Sequence, residues 1–365
     1  MPPKTPPALL ILSAKNSNPS IRSNPTEANG PDIGSIIAIL IVSSALTENA
    51  KDNNVVVIKN ILKNLFSISN PPSIVEIHRD LYYIGIIKLQ CLFLFYLGFI
   101  MFINDLFSIK GKVALVTGGS RGIGEMIASG FCANGAKVYI SARSKNTVIE
   151  TAKIISDKYD SECIGIESDI SSLGGVKKLA KIINDNEEHL DILVNNAGAA
   201  WAAPIEDFPE IGWDKVMDLC VKSMFFLTQE LLPLLTKPAS TIDPSRIINI
   251  GSIDGINNPE FKNFSYSAAK SAVHHMTRVL ASELVSKHIN VNAIAPGPFP
   301  SKMLGSAVKF DYKKLESKNP RGRIGTPEDI AGLAIFLSSR AGAYTIGEVI
   351  TCDGGLVASA GHDLS

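Results

Sequence analysis

The sequence predicts a doubly wound α/β domain over residues 105–360, with one parallel sheet covered by helices on both faces. Three observations lead there. Short, near-continuous apolar runs of strand character alternate with longer stretches whose apolar residues recur at helical spacing, the pattern of strands buried on both faces. The first such run, Val113 to Val116, leads directly into a glycine-rich turn that opens a helix. The polar motifs of the chain fall where these strands end, and in open α/β sheets the ligand sits outside the carboxyl ends of the strands.

The elements follow in order. After the strand VALV and its turn, IGEMIASGFCANG carries the first helical pattern. KVYISA, from Lys137 to Ala142, is the second strand, and its helix places Val148, Ile149, Ala152, Ile154 and Ile155 at helical spacing. CIGIES (Cys163 to Ser168), a helix over Val176 to Asn184 and the buried run DILVNNAG come next. A long helix is predicted from Trp213 to Leu235, then the strand RIINIGS (Arg246 to Ser252) and a second long helix from Tyr266 to Ser286. INVNAIAPG (Ile289 to Gly297), an irregular Pro-rich segment, a helix from Glu328 to Ser338 and the run EVITCDGG complete the domain.

Residues 1–104 show no such alternation. They hold Pro- and Asn-rich pieces, a short apolar run from Ile33 to Leu46, and the segment 82–103, YYIGIIKLQCLFLFYLGFIMFI. That segment approaches the ~20 residues a membrane-spanning helix needs. Lys88 and Gln90 interrupt it, and basic residues on both sides leave an orientation unreadable. Two readings stand side by side: an atypical extension of low order, with Met101 as a natural start for the domain, or a membrane anchor. The ALLILSA run near the start is too short and too closely flanked by proline for a cleavable signal.

Equal numbers of acidic and basic residues, 35 each, remove the electrostatic footprint of a nucleic-acid binder. The five cysteines, Cys91, Cys132, Cys163, Cys220 and Cys352, have no paired spacing, and no histidine falls near them in a zinc-type pattern. The expectation is no disulfide, no metal and a cytoplasmic location, with the 82–103 segment as the one feature that would add a membrane contact.

Two constellations carry chemistry. In TGGSRGIG, glycines at 118, 122 and 124 remove side chains where a pyrophosphate would press on the backbone, and the helix beyond offers unpaired N–H groups and a positive dipole end. The spacing is Gly-x-x-x-Gly-x-Gly, distinct from the usual dinucleotide fingerprint. Further on, Tyr266 and Lys270 are four residues apart on a predicted helix and share a face, while Ser252 closes the preceding strand. A phenol titrates near pH 10. An ammonium beside it lowers that value, so Tyr266 is expected to act as an acid–base with Ser252 bonded to a substrate carbonyl.

The cofactor can be argued from charge. A carboxylate after the second strand would bond the ribose 2′-hydroxyl of NAD, whereas arginine accommodates a 2′-phosphate. This chain has Arg143 at that point and Arg121 inside the glycine turn, which favours NADPH and the reductive direction.

Together, TGGSRGIG, NNAG (Asn195 to Gly198), Ser252, YSAAK (Tyr266 to Lys270) and APGPFPS (Ala295 to Ser301), in this order, resemble the short-chain dehydrogenase/reductase family over roughly 107–355. Within it the chain is most similar to the NADPH-dependent 3-oxoacyl-(acyl-carrier-protein) reductase branch, of the β-ketoacyl reductase type associated with rhamnolipid synthesis. The resemblance implies a Rossmann-like single catalytic domain. It implies Tyr266 as acid–base, Ser252 as substrate-orienting group, and Lys270 as the group that lowers the tyrosine pKa and binds the nicotinamide ribose. It carries cofactor contacts onto Gly118, Ser120, Arg121, Gly122, Ile123 and Gly124 of the turn, and onto Asn195, Ala197 and Gly198. Asp169 would contact the adenine region, and Pro296 and Gly297 would pass the nicotinamide.

One departure stands out: in VMDLCVKSMFFLTQ, Cys220 occupies the place where the family usually has an asparagine that holds a proton-relay water. A buried thiol is a weak hydrogen-bond partner, so reduced but not abolished turnover is expected. The segment from Pro298 to Thr326, with Lys302, Lys309, Lys313, Lys314 and Lys318, is expected to form the substrate lid, and Trp201 to wall the pocket or simply pack. The helices from Trp213 and Tyr266 would, by resemblance, build a homodimer or homotetramer. The leading expectation is an NADPH-dependent ketone reductase acting on a 3-oxoacyl thioester, of acyl-carrier protein or CoA, or on a similar carbonyl. The alternatives are an NAD(P)-dependent alcohol or polyol dehydrogenase and a catalytically impaired NADP(H)-binding regulatory protein.

Overall fold

The computed structural model describes residues 103–259, 261–301 and 312–360. The extension 1–102, with nearly all of the 82–103 segment, lies outside the described residues, as do Lys302 and Lys309 and the side chain of Lys314.

Seven strands form the sheet: β1 (Val113–Thr117), β2 (Lys137–Ala142), β3 (Cys163–Glu167), β4 (Ile192–Asn195), β5 (Ser245–Ile250), β6 (Ile289–Pro296) and β7 (Val349–Cys352). Every pairing is parallel, in the order β3-β2-β1-β4-β5-β6-β7. The winding reverses between β1 and β4, and that point opens a crevice at the carboxyl ends. All residues of β1, β4, β5 and β6 are buried, as strands covered on both faces must be, while β7 at the edge is only partly covered.

The helices are α1 (Gly122–Ala133), α2 (Lys145–Tyr159), α3 (Leu173–Asn186), α4 (Glu210–Met217), α5 (Ser223–Thr236), α6 (Phe264–Leu284), α7 (Tyr312–Lys318) and α8 (Pro327–Ser338). On one face, Ile127 and Phe131 of α1, Val148 and Ile155 of α2, and Ile330 and Leu337 of α8 pack with Val116 and Ile140. On the other, Leu179 and Ile183 of α3, Leu227 and Leu231 of α5, and Leu280 and Leu284 of α6 pack with Leu115, Leu193 and Ile247. Each side chain buried this way contributes about 1.5–3 kcal/mol relative to exposure, which makes these two layers the main source of stability.

Two differences from the sequence reading matter for the site. The helix expected from Trp213 to Leu235 begins at Glu210 and is broken at Asp218–Lys222 by a wider π-type turn that contains Cys220. Such a turn inserts one extra residue and rotates the helix beyond it, a change that apolar spacing does not register. The Pro-rich segment holds a short helix, α7, rather than only irregular chain. Among the described residues, Glu210–Thr236 is long and apolar enough to cross a membrane, yet its Val216, Leu227 and Leu231 are fully buried, as expected of a core helix.

Candidate active site

At the switch point the chain ties its two central strand ends together. The Thr117 hydroxyl accepts the backbone N–H groups of Asn196 and Ala197, both at 3.0 Å, and the Asn196 side-chain amide donates to the carbonyls of Thr117 at 2.8 Å and Gly118 at 3.2 Å. The NNAG motif is therefore clamped to the glycine turn. Gly118 and Gly122 hold φ of +65° and +58°, where side chains other than glycine are strained. Gly124 serves differently: a Cβ there would collide with the Gly118 carbonyl and the Asn196 amide.

A cleft of about 1460 Å³ runs along the carboxyl ends of the strands. Gly118, Ser120, Arg121, Gly122 and Ile123 line it from the turn, with Ala197 and Gly198 facing them from β4. Arg143, Ser144 and Thr147 line it beyond β2, and Asp169 beyond β3. Pro296 and Gly297 line it at the end of β6, and Leu315 and Lys318 of α7 reach it from the Pro-rich segment. Gly124 is not among the lining residues. Nor is Asn195, which is turned into the protein: its amide donates to Asn249 at 3.0 Å and Thr228 at 3.3 Å, and Asn249 donates to Thr277 at 3.0 Å. These two positions support the groove from behind, because the alternating pleat puts Asn196, one residue on, at the ligand side.

Ser252, Tyr266 and Lys270 meet at the same cleft, Ser252 and Lys270 buried and Tyr266 half-buried. Ser252 follows β5, and its hydroxyl accepts the backbone N–H of Asp254 at 3.2 Å while bonding the phenol of Tyr266. Lys270 donates to the carbonyl of Ile250 at 2.7 Å, and its ammonium lies 5.4 Å from the centre of the Tyr266 ring.

The expectation that Lys270 lowers the phenol pKa does not hold in this geometry. Burial pushes Tyr266 above the usual tyrosine range, Cys220 and Asp254 act in the same sense, and only the Ser252 hydrogen bond opposes them. The ammonium sits against the ring and is held by a carbonyl, so it does not bond the phenol oxygen. Burial also pulls Lys270 below the usual lysine range. Tyr266 is therefore held protonated, the state an acid needs before it gives up its proton.

Cys220, in the π-type turn, points its thiol at the Ala199 carbonyl, 3.5 Å away, and packs with Val216, Ala269, Trp201 and Tyr266. Trp201 both lines the cleft and packs, with the Lys215 ammonium 5.4 Å from its ring.

Three side chains of the site escaped the sequence reading. His274, 4% exposed, accepts the backbone N–H of Ser252 at its Nε2 and bonds the Gly255 carbonyl. Burial, then the charge of Lys270, push it down to about 4, so the imidazole is neutral. The four-residue step from Tyr266 to Lys270 continues to residue 274, a signal that could have found it. Asp254 lines the cleft two residues after Ser252, and burial raises its carboxyl above the ordinary value against the Asn263 hydrogen bond and the charge of Lys270. Asn196 is the third, and nothing within NNAG separates its role at the glycine turn from that of Asn195.

Comparison with known proteins agrees with this geometry. A family described as "Enoyl-(Acyl carrier protein) reductase" matches residues 118–357. The chain is 48% identical over 252 residues to the rhamnolipids biosynthesis 3-oxoacyl-[acyl-carrier-protein] reductase of Pseudomonas aeruginosa, covering 68% of this chain and 97% of that protein. It is 36% identical to a 2-dehydro-3-deoxy-D-gluconate 5-dehydrogenase of Bacillus subtilis, over 70% of this chain and 98% of the relative. Among solved structures, the Pseudomonas aeruginosa RhlG/NADP active-site complex superposes with a TM-score of 0.66 at 47% identity, covering 69% of this chain and 99% of that one.

Proposed function

The chain belongs to the short-chain dehydrogenase/reductase family, and from that premise we propose that it is an NADPH-dependent reductase converting a ketone, foremost a 3-oxoacyl thioester, to a secondary alcohol. One observation carries this reading. Ser252, Tyr266 and Lys270 converge on a cleft whose other end is the glycine turn, with two guanidinium groups beside it. The residues present fit a phosphorylated dinucleotide: a turn without side chains at Gly118 and Gly122, the start of α1, and Arg121, Arg143 and Ser144 where a 2′-phosphate would lie.

When bound, the reduced nicotinamide supplies the hydride. The remaining chemistry is done by the chain. Ser252 donates its hydroxyl proton to the ketone oxygen and fixes the carbonyl, while Tyr266, held protonated by its surroundings, gives that oxygen its proton as negative charge develops there. Lys270 keeps a positive charge beside the phenolate that forms, and its bond to Ile250 fixes the distance between strand end and helix. Pro296, Gly297 and the α7 segment close the groove and help keep water from the reacting atoms.

The relatives named as 3-oxoacyl-[acyl-carrier-protein] reductases support a thioester of acyl-carrier protein as substrate, and a CoA thioester offers the same reacting group. Ile211, Trp213 and Val279, exposed on α4 and α6, support a homodimer or homotetramer built on those helices, which light scattering would measure. NADPH oxidation with acetoacetyl-CoA tests the reading. Turnover is expected; tight NADPH binding without turnover of thioesters or diketones would favour a regulatory protein, and oxidation of polyols alone a polyol dehydrogenase.

A further inference from the structure

Asp254 places a carboxylate at the substrate side of the cleft that neither hydride transfer nor cofactor binding uses. It stands in the single turn Ile253–Gly255, two residues beyond Ser252, and lines the same wall. Its backbone N–H donates to the Ser252 hydroxyl at 3.2 Å, and its carboxylate accepts from the amide of Asn263, itself 7% exposed, at 2.8 Å. Lys270, the cation nearest in the site, is anchored on the Ile250 carbonyl and offsets part of the Asp254 charge. The other lysines described on the cleft behave differently: Lys215 is exposed over Trp201, and Lys262 and Lys318 are exposed. The wall where the ketone reacts thus carries one carboxylate, Asp254, beside the anchored Lys270, and the cleft is cationic where it meets solvent.

A fixed carboxylate beside a developing oxyanion does not help the reaction, so its use must be sought in what it keeps out. We propose that Asp254 makes the pocket select ketones whose reacting end is uncharged, admitting 3-oxo esters and thioesters and rejecting free 3-oxo acids. This rests on the ketone-reductase reading. A free 3-oxo acid bound with its ketone at Ser252 and Tyr266 carries its own carboxylate two carbons away, beside the wall that the half-buried Asp254 lines. Repulsion between the two carboxylates disfavours binding by about ten-fold or more, whereas the ester of the same acid is neutral there. A thioester arm places its phosphates far from the ketone, toward the exposed lysines.

The test compares kcat/KM for ethyl acetoacetate and for acetoacetate, with NADPH and the full chain, in the native enzyme, Asp254→Asn and Asp254→Ser. The ester is expected to be preferred by the native enzyme. The preference should fall by about ten-fold in both variants through a gain on acetoacetate, as loss of one like charge predicts. Because the two substrates differ in intrinsic reactivity, the change of the ratio on substitution is the readout. An unchanged ratio overturns the proposal. Should the variants not fold, competition in the native enzyme decides: acetoacetate is expected to inhibit ester reduction only far above the ester KM, and inhibition at or below that concentration overturns it. A native enzyme that binds NADPH but reduces neither the ester nor any diketone refutes the reductase reading itself, and the selectivity falls with it.

Discussion

The ammonium of Lys270 donates to the backbone carbonyl of Ile250 at 2.7 Å. That carbonyl ends β5 two residues before Ser252, so one bond ties the helix carrying Tyr266 to the strand carrying its partner. Burial of Lys270 at 4% exposure disfavours its charge, and this bond offsets part of that cost.

Replacing Lys270 with methionine keeps the side chain's length and removes both the charge and the donor. The Ile250 carbonyl then loses its partner, at a cost of about 1–3 kcal/mol in stability. Loss of a preorganised charge beside the phenolate should lower kcat by roughly a hundred-fold. Steady-state rates and a thermal melt separate the two effects, and a variant with native kcat would contradict the role given to Lys270.

His274 braces the turn that carries Ser252. Leucine there strands the Ser252 N–H, while the Gly255 carbonyl keeps the Ser271 hydroxyl at 2.9 Å, and should lower Tm by several degrees, since 1 kcal/mol corresponds to about 2–4 °C in a domain this large. The pH dependence has a definite sign. An imidazole pushed from 6.5 to about 4 by burial is protonated first in the unfolded chain, so stability is lost as pH falls from 6.5 toward 4. The gap in Tm between the native protein and His274→Leu should narrow over that window; a constant gap would remove the histidine from the account.

Cys220 offers only a weak donor to Ala199 at 3.5 Å. Asparagine at this place supplies a strong donor and acceptor in the same π-type turn. Cys220→Asn is therefore expected to raise kcat for ketone reduction severalfold with little change in KM for NADPH. Stopped-flow turnover checks it, and an unchanged rate would show that the thiol costs the enzyme nothing.

Arg143 lines the groove just beyond β2, and Asp169 lines it beyond the neighbouring β3. Arg143→Ala should weaken NADPH binding by about ten-fold or more while leaving NADH binding nearly as it was, as loss of one phosphate contact predicts. Fluorescence titration with both nucleotides measures this, and equal losses would place the arginine outside the 2′-phosphate site.

The sheet, its helices and the positions of Ser252, Tyr266 and Lys270 were legible because strand burial and four-residue spacing are local signals. The features that stayed hidden depend on contacts far apart in sequence. Asn195 and Asn196 are adjacent in one motif, yet the pleat sends the first into the core toward Asn249 and the second to the glycine turn. The π-type turn at Cys220 and the state of Tyr266 were hidden for the same reason. Sequence places a lysine near a phenol, but only packing shows that burial outweighs it and that the ammonium is held elsewhere.

The central claim is that the Tyr266 phenol supplies the proton for carbonyl reduction. Single-turnover oxidation of NADPH by a ketone in Tyr266→Phe tests it most directly, with nucleotide binding followed by fluorescence on the same sample. The expected result is native NADPH affinity with a rate lowered by about a hundred-fold or more, the scale of lost general-acid catalysis. A phenylalanine variant that binds NADPH and reduces the ketone at the native rate would contradict it.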